Sequence, residues 1–525
     1  VPDTPEAAAI EPRFRMDRLA DAVVRLLDQV FADPAVINVG GAQWMDEASA
    51  HLLARFTSTA SERPWAIVVT RRGDEEGFVP SEGRVFKLME LTDEESEELV
   101  IEATKATPLR PHEIEAVVAR GGGNPLFLDE ILRVVRETGS TDELPDSLGT
   151  VVSAGIDALP PLTRRVLRYC SVFGRSFRIA TVQRILTEDD LDLDAGTRQL
   201  LSEFLEPAGE GRLRFRTAMV RDVAYDGLSF KRRKEIHLRA AAAIEEEAAG
   251  HADESADQLA MHYAVGGDAE RTWHYARIAA EKARRAFANT EAATQYERVL
   301  EAVRRVPGVP DSDRSAVWAQ LGDVREQSGL LDGAIDAYRR AYRLVADDPV
   351  AQGEMLLKRA LARWRAAQYT TALSDTTRAR RLVESVGSKE AAGLAARASA
   401  FSAHIKQRQE KPQEALRRAN AALEEAIAVG ELSAQARAYS VVGWAHLVMG
   451  MDGAQQLTEE AFNLYEELDD LVGQQQMSNN LGVIAYFDGN WSAALEYYER
   501  SLEGSRLLGN VVDVGTAEAN IGEVL

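Results

Sequence analysis

The spacing of apolar and polar positions changes character twice along the chain. Residues 1 to about 110 mix two periods. RLADAVVRLLDQVF (18–31) sets Leu19, Val23, Leu26, Leu27 and Val30 at helical spacing, which predicts a helix buried on that face. AVINV (35–39) and WAIVVTRR (65–72) are short, β-branched and bounded by turn residues, which predicts buried strands. HLLARFTSTASE (51–62) lies between them with helical spacing. Strand, helix and strand of these lengths predict a parallel α/β unit.

From about 110 to 235 the strand signal fades. PHEIEAVVARGGGNPLFLDEILRVVRET (111–138) predicts two helices separated by glycines. LPDSLGTVVSAGIDALPPLTRRVLRYCSVFG (144–174) predicts another pair, with Ser147 as a cap and Pro160-Pro161 as a break. A short alternating piece follows, Leu213 and Phe215, preceded by Gly209 and Gly211. Helices followed by a short β-wing predict a winged-helix domain.

From about 236 to the end the period is helical throughout, and it repeats. Small residues at Gly322, Ala360, Ala403, Gly443, Gly482 and Gly522 recur every 38 to 43 residues. Seven residues after the first five stand Gly329, Ala367, Glu410, Gly450 and Gly489, where paired helices would turn. Ala334, Ala372, Ala415 and Ala494 follow, then Tyr338 and Tyr498 four residues after the first and last of these. Small residues are needed where paired helices cross closely. The pattern is similar to that of tetratricopeptide repeats, in a long form of about 40 residues.

Length and charge narrow the classes. A chain of 525 residues predicts about three domains. No apolar run reaches the roughly 18 residues of a membrane span, and the polar start VPDTPEAAAIEPRFRMDR has no signal-peptide core. The missing initiator Met, and an end at AEANIGEVL inside a first helix, predict a fragment cut at both ends. One cysteine, Cys170, leaves no internal disulfide and fits a cytoplasmic setting; LRYCSVF reads as a buried helix around it. A net charge of −23 disfavours direct nucleic-acid binding. The basic run Lys231 to Lys234 reads as a solvated helix face. His237, His262 and His274 are too far apart for a local metal motif, and no metal site is expected. Trp318, Trp364, Trp444 and Trp491 recur in the array and read as solenoid core.

GGAQWMDEAS, GGNPLFLDEIL, LPDSLGTVVSAGIDALPP, RFRTAMVRDVAYDGL and NNLGVIAYFDGNWSAALEYYERS, in this order, resemble the STAND branch of AAA-type ATPases. The likeness is to the actinobacterial kind fused to a class III adenylate/guanylate cyclase domain. It implies a multidomain, mainly α chain. Residues 1–110 would be the C-terminal part of a P-loop-type α/β ATPase core, 111–235 a helical lid and winged helix, and 236–525 a tetratricopeptide α-solenoid. ATP or ADP with Mg²⁺ would be the cofactor of the whole protein. The sequence contains no G-x-x-x-x-G-K-[ST] loop to cradle phosphates, so that loop and the cyclase domain are expected upstream.

The resemblance also marks individual residues. Such ATPases end the first strand in an acidic pair serving Mg²⁺ and the attacking water; Gly40 and Gly41 stand there. Asp46 is read either as a metal-side acid or as a helix cap. Arg71 would be a sensor of the γ-phosphate or a solvated arginine. Gly123-Asn124-Pro125 matches a turn whose proline packs on adenine, or is a plain helix break. Gly155 stands in place of an arginine, and Thr217 in place of a phosphate-facing histidine on the wing. These departures imply impaired hydrolysis and assign no catalytic residue. Three functions remain: a nucleotide switch with a tetratricopeptide sensor in a cyclase-linked signalling protein, a non-catalytic interaction scaffold, and a transcriptional activator whose DNA-binding domain lies off this chain. The expected partner is a protein or peptide on the solenoid's concave face, with self-association left open and no membrane contact.

Overall fold

The computed structural model describes residues 15–31, 33–42, 45–60, 63–71, 78, 83–105, 108–138, 148–248, 250–286, 288–508 and 511–525; Ser147, expected as a cap, lies outside them. The chain divides into two compact units, 1–82 together with 277–525, and 83–276. Among the described residues no helix is long and apolar enough to cross a membrane.

In the first unit, α1 (Arg15–Val30) leads to β1 (Ala35–Gly40), α2 (Glu47–Ser58) and β2 (Trp65–Thr70). The strands pair in parallel, from Ala35 opposite Trp65 to Gly40 opposite Thr70. Their small core gathers Val24, Ala42, Leu53, Phe56, Trp65 and Phe78. Phe56 lies 5.7 Å from Trp65, whose indole nitrogen donates to the Phe31 carbonyl at 3.3 Å. Two expectations are corrected here. The strands are buried at alternate positions only, those facing the small core: Val36 is 74% exposed and Val68 48%. The buried stripe of α1 runs through Ala20, Val23, Val24 and Leu27, not through Leu19, Leu26 and Val30, which are exposed. Packing on α2 turns the helix by about a quarter turn from the face its largest apolar residues define.

The second unit begins with α3 (Asp93–Ala103), α4 (Pro111–Gly121) and α5 (Pro125–Thr138), which close around Val100, Val117, Leu128, Ile131 and Leu132. Thr92 and Glu95 form a reciprocal capping box at the start of α3. Next come α6 (Leu148–Ala158), α7 (Pro161–Cys170), β3 (Ser176–Arg178), α8 (Ile179–Thr187), α9 (Ala195–Leu200), β4 (Leu205–Pro207), β5 (Arg212–Phe215), α10 (Ala218–Asp226) and α11 (Phe230–Glu247). β5 is the middle of a three-stranded antiparallel sheet, between β3 and β4. Gly209 and Gly211 turn the chain between β4 and β5 with φ of 102° and 68°, a region open to glycine. Phe177, Leu213 and Phe215 from the sheet enter one core with Val166, Leu167, Tyr169 and Cys170. Burial pushes the Cys170 thiol well above its usual range, so it packs as an inert apolar group.

The basic run at the start of α11 is not simply solvated. Arg232 turns inward to Asp189 at 2.5 Å and lies over the Tyr169 ring. Arg233 pairs with Asp226 at 3.0 Å and covers Tyr225. α12 (Ala256–Gly266) and α13 (Ala269–Arg285) follow, and α13 runs across the division into the first unit.

After α14 (Asn289–Ala302) the array consists of antiparallel helix pairs: α15 (Asp311–Gln327) with α16 (Leu331–Leu344), α17 (Pro349–Arg365) with α18 (Tyr369–Val383), and α19 (Lys389–Arg408) with α20 (Pro412–Val429). α21 (Leu432–Met449) then pairs with α22 (Ala454–Glu467), α23 (Leu471–Phe487) with α24 (Trp491–Leu508), and α25 (Val511–Val524) packs on α24. This is a tetratricopeptide-like solenoid. The recurring small residues from Gly322 to Gly482 sit where helices of a pair cross, whereas a Cβ at Gly522 would meet open space. A Cβ at Gly322 would lie 2.5 Å from the Tyr338 ring, and one at Gly482 2.5 Å from the Tyr498 ring. Ala334, Ala372, Ala415 and Ala494 are fully buried.

All five intra-pair turn positions are left-handed: Gly329 (φ 75°), Ala367 (57°), Glu410 (57°), Gly450 (63°) and Gly489 (73°). Residues with a Cβ are strained there by roughly 1–2 kcal/mol. We therefore expect Ala367→Gly and Glu410→Gly each to raise the urea midpoint of the solenoid by the equivalent of about 1 kcal/mol, and Gly450→Ala to lower it comparably. A second prediction concerns Asp375, whose carboxylate is 4% exposed and bound by Arg359 at 2.6 and 2.8 Å and by Arg363 at 2.6 Å. Asp375→Ala strands two inward-facing guanidinium groups and should cost about 3–5 kcal/mol in the same measurement.

Candidate functional site

The residues marked at the strand ends have local partners. Gly40 ends the β1 ladder opposite Thr70; a Cβ there would meet only Thr70 Oγ1, at 3.7 Å. Gly41 has φ 74°, so a side chain fits at 40 with ease and at 41 only under strain. Asp46 is the N-cap of α2, its carboxylate accepting from the Ser49 amide at 2.7 Å and the Ser49 hydroxyl at 3.1 Å. Arg71 Nη1 donates to the Phe78 carbonyl at 2.9 Å, and the Phe78 amide donates to the Ala42 carbonyl at 3.1 Å. Arg71 thus ties buried Phe78 over the end of the two strands.

Asn124 and Pro125 open α5. Asn124 Oδ1 accepts from the amides of Leu126 and Phe127 at 3.0 and 3.2 Å, and Pro125 holds the first helical position, where its missing N–H costs nothing. Of the preceding glycines, Gly123 is sterically required. Gly123 has φ 71°, and a Cβ there would run into the Leu91 carbonyl oxygen. Thr217 caps α10, its hydroxyl accepting from the Val220 amide at 3.2 Å. Gly155, inside α6, has only ordinary contacts around a notional Cβ, the nearest to Phe204 at 3.6 Å. Gly40, Gly41, Asp46 and Arg71 belong to the first unit; Asn124, Pro125 and Thr217 belong to the second.

One buried polar group escaped the sequence reading. His237 on α11 and His262 on α12 face each other with Nδ1 atoms 2.9 Å apart, and the Tyr225 hydroxyl lies 2.9 Å from His237 Nε2. The two histidines are 3% exposed or less. Burial, then the positive charges of Arg221 and Arg233, brings His237 down to about 4; burial, then His237 itself, brings His262 to about 3. Two neutral rings sharing one proton satisfy each other. Among the described residues no group of three or more His, Cys, Asp or Glu could hold a metal ion.

The solenoid carries a cavity of about 320 Å³ lined only by first helices, from Trp364 on α17 through His404 and Gln407 on α19 and Gln475 on α23 to Asp513 on α25. Trp364, Phe401 and His404 form a tilted aromatic cluster at one end, with centroids 5.2 to 6.3 Å apart. Trp364 packs, half-buried, against the solenoid core of Ala360, Ala372, Phe401 and Ile405, as its reading as core expects, and also lines the cavity. Trp491 is 52% exposed and packs edge-on against Tyr486 at 5.1 Å, which corrects its reading as core.

No family model matches the chain, and no curated protein matches it. Among solved structures, a Signal Transduction ATPase with Numerous Domains (STAND) protein with a tetratricopeptide repeat sensor from Pyrococcus horikoshii is similar over 99% of this chain and 75% of its own, at 16% identity and a TM-score of 0.41. Aspartyl phosphate phosphatase F from Bacillus subtilis is similar over 72% of this chain and 94% of its own, at 11% identity and a TM-score of 0.37. A Rap protein complexed with Competence and Sporulation Factor covers 56% of this chain and 86% of its own, at 17% identity and a TM-score of 0.38. These are loose likenesses, and none identifies a ligand or an activity for this chain.

The histidine pair makes stability pH-dependent. An unfolded imidazole takes up a proton near 6.5, whereas these rings stay neutral in the fold until about 4 and about 3. Their contribution is complete above about 6.5 and is lost as pH falls through the folded values. The urea midpoint of the second unit should fall between pH 7 and pH 4, and His262→Leu should flatten that slope.

Proposed function

We propose that this chain is the sensing and regulatory part of a STAND-type signal-transduction protein. The solenoid takes a protein or peptide partner on the face of its first helices. The regions before it, an α/β ATPase remnant and a winged-helix domain around β3–β5–β4, form a nucleotide-dependent switch, and the effector that reads the switch is a cyclase. The observation that carries the reading is the polar cavity shared by alternate helices of the array, from Trp364 to Asp513. A partner seated there shifts the protein between states only as far as it binds one of them better.

Hydrolysis is impaired in this reading. Glycine at 40 and 41 offers no side chain to a metal or a water. Thr217, in place of a wing histidine, spends its hydroxyl on a helix cap. A non-catalytic scaffold is the second reading, and one observation favours it: the polar groups of Asp46, Asn124 and Thr217 all hold helix starts. Each is then explained by local folding alone.

Amide hydrogen exchange separates the two. With millimolar ADP and Mg²⁺, the switch reading expects slowed exchange at residues 38–46 and 121–127. Unchanged exchange at both segments, with ADP and with ATP, rejects nucleotide switching in this chain and leaves the scaffold.

A further inference from the structure

The five turns inside the helix pairs lie along one edge of the array, because stacked repeats run the same way. Neighbouring turns share space there. A cavity of about 400 Å³ is lined by Gly329 and Leu331 at the first turn, Trp364 and Tyr369 at the second and Arg408 at the third. The fourth and fifth turns carry the opposite relief. Val448 and Met451 are exposed at the fourth, and Phe487, 74% exposed, and Trp491 at the fifth. Large apolar side chains scattered singly need no explanation, but four on two adjacent turns form a patch of the kind that marks an interface. Two of the four are aromatic, the type that anchors interfaces.

Charge divides along the same edge. Residues 438–499 hold ten acids and no Lys or Arg, whereas residues 355–411 hold twelve Lys and Arg and four acids. At the turns themselves Asp452 and Asp488 are exposed, and among the described residues neither carboxylate has a hydrogen bond or ion pair. The same holds for the charged ends of Arg408 and Lys411 at the third turn. The order of these features makes the edge complementary to its own reverse. When two copies lie antiparallel with a two-fold axis at the third turn, the cavity of each meets the aromatic knob of the other, and basic turns meet acidic ones. Such an isologous contact uses the same surface on both subunits and closes on itself. At the axis, Lys411 comes beside Glu410 of the partner subunit.

We infer that two copies of this chain associate through the intra-pair turns of their solenoids. Phe487 of each copy enters the other's cavity between Leu331 and Tyr369, and Asp452 of each pairs with the other's Arg408. The cavity's volume of about 400 Å³ equals that of about thirteen waters, room for an aromatic side chain and for no folded element. A second copy is favoured over an unrelated protein because knob, hole and both signs of charge all stand on the one chain. The inference is independent of what the first-helix face binds.

The test is sedimentation equilibrium of the full chain from low to high micromolar concentration, where a monomer–dimer equilibrium is expected. Phe487→Ser should weaken the dimer about tenfold or more. Asp452→Arg and Arg408→Glu each set like charges against each other at both contacts and should weaken it at least as much. All three side chains are exposed, so urea midpoints should stay level. The decisive measurement mixes the two charge variants. A mixed pair of Asp452→Arg with Arg408→Glu has opposite charges at both contacts, so the mixture should dimerise as the native chain does although neither variant does so alone. A native chain that stays monomeric overturns the inference and gives the patch to a different protein. A dimer indifferent to all three substitutions, or a mixture no more associated than its components, also overturns it. Each of these results leaves the sensor reading of the solenoid standing.

Discussion

The solenoid depends on how closely its paired helices approach. At Gly322 and Gly482 the missing Cβ lets a tyrosine ring from the second helix lie against the backbone of the first. Adding the Cβ would force a shift of about an ångström in a core that packs like a crystal and transmits such strain. Ala360 and Ala403, fully buried, hold the corresponding places in two intervening repeats. This spacing sets the position of every first helix against the next. The cavity between Trp364 and Asp513 is lined by first helices alone, one layer in front of these crossings.

What the sequence revealed follows from how local each requirement is. A left-handed turn after each first helix leaves a mark, because it favours a residue without a Cβ, and Gly329, Gly450 and Gly489 show it plainly. Ala367 and Glu410 were recognisable only through the repeat, and the backbone there is left-handed as in the glycine repeats. Parallel pairing of β1 with β2 was legible from the lengths of strand, helix and strand. The inward face of α1 was not, because burial depends on what packs against a helix, and here α2 selects Ala20 and Val24 over larger neighbours. The His237–His262 contact joins residues 25 apart through the packing of α11 on α12.

The N-terminal regions illustrate how local structure can absorb polar side chains. Asp46, Asn124 and Thr217 each stand immediately before a helix and give an oxygen to its first free amides. A carboxylate, an amide or a hydroxyl in that position is explained by the four unpaired N–H groups every helix begins with. Chemistry toward a phosphate or a metal would have to be added on top of that role. Arg71, tied to the Phe78 carbonyl, holds the two-stranded sheet's small core shut from its open end. Local folding thus accounts for each of these side chains where it stands.

The cavity's span has a mechanical consequence. Its walls come from α17, α19, α21 and α23, with α25 at the far end, so an occupant that touches both ends bridges successive repeats that otherwise contact only their neighbours. Such an array is compliant along its length, each junction allowing a small rotation. A ligand laid across the junctions acts as a splint. It adds the stiffness of its own contacts to all of them at once, and a flexible spring becomes a lever able to transmit displacement from one end to the other.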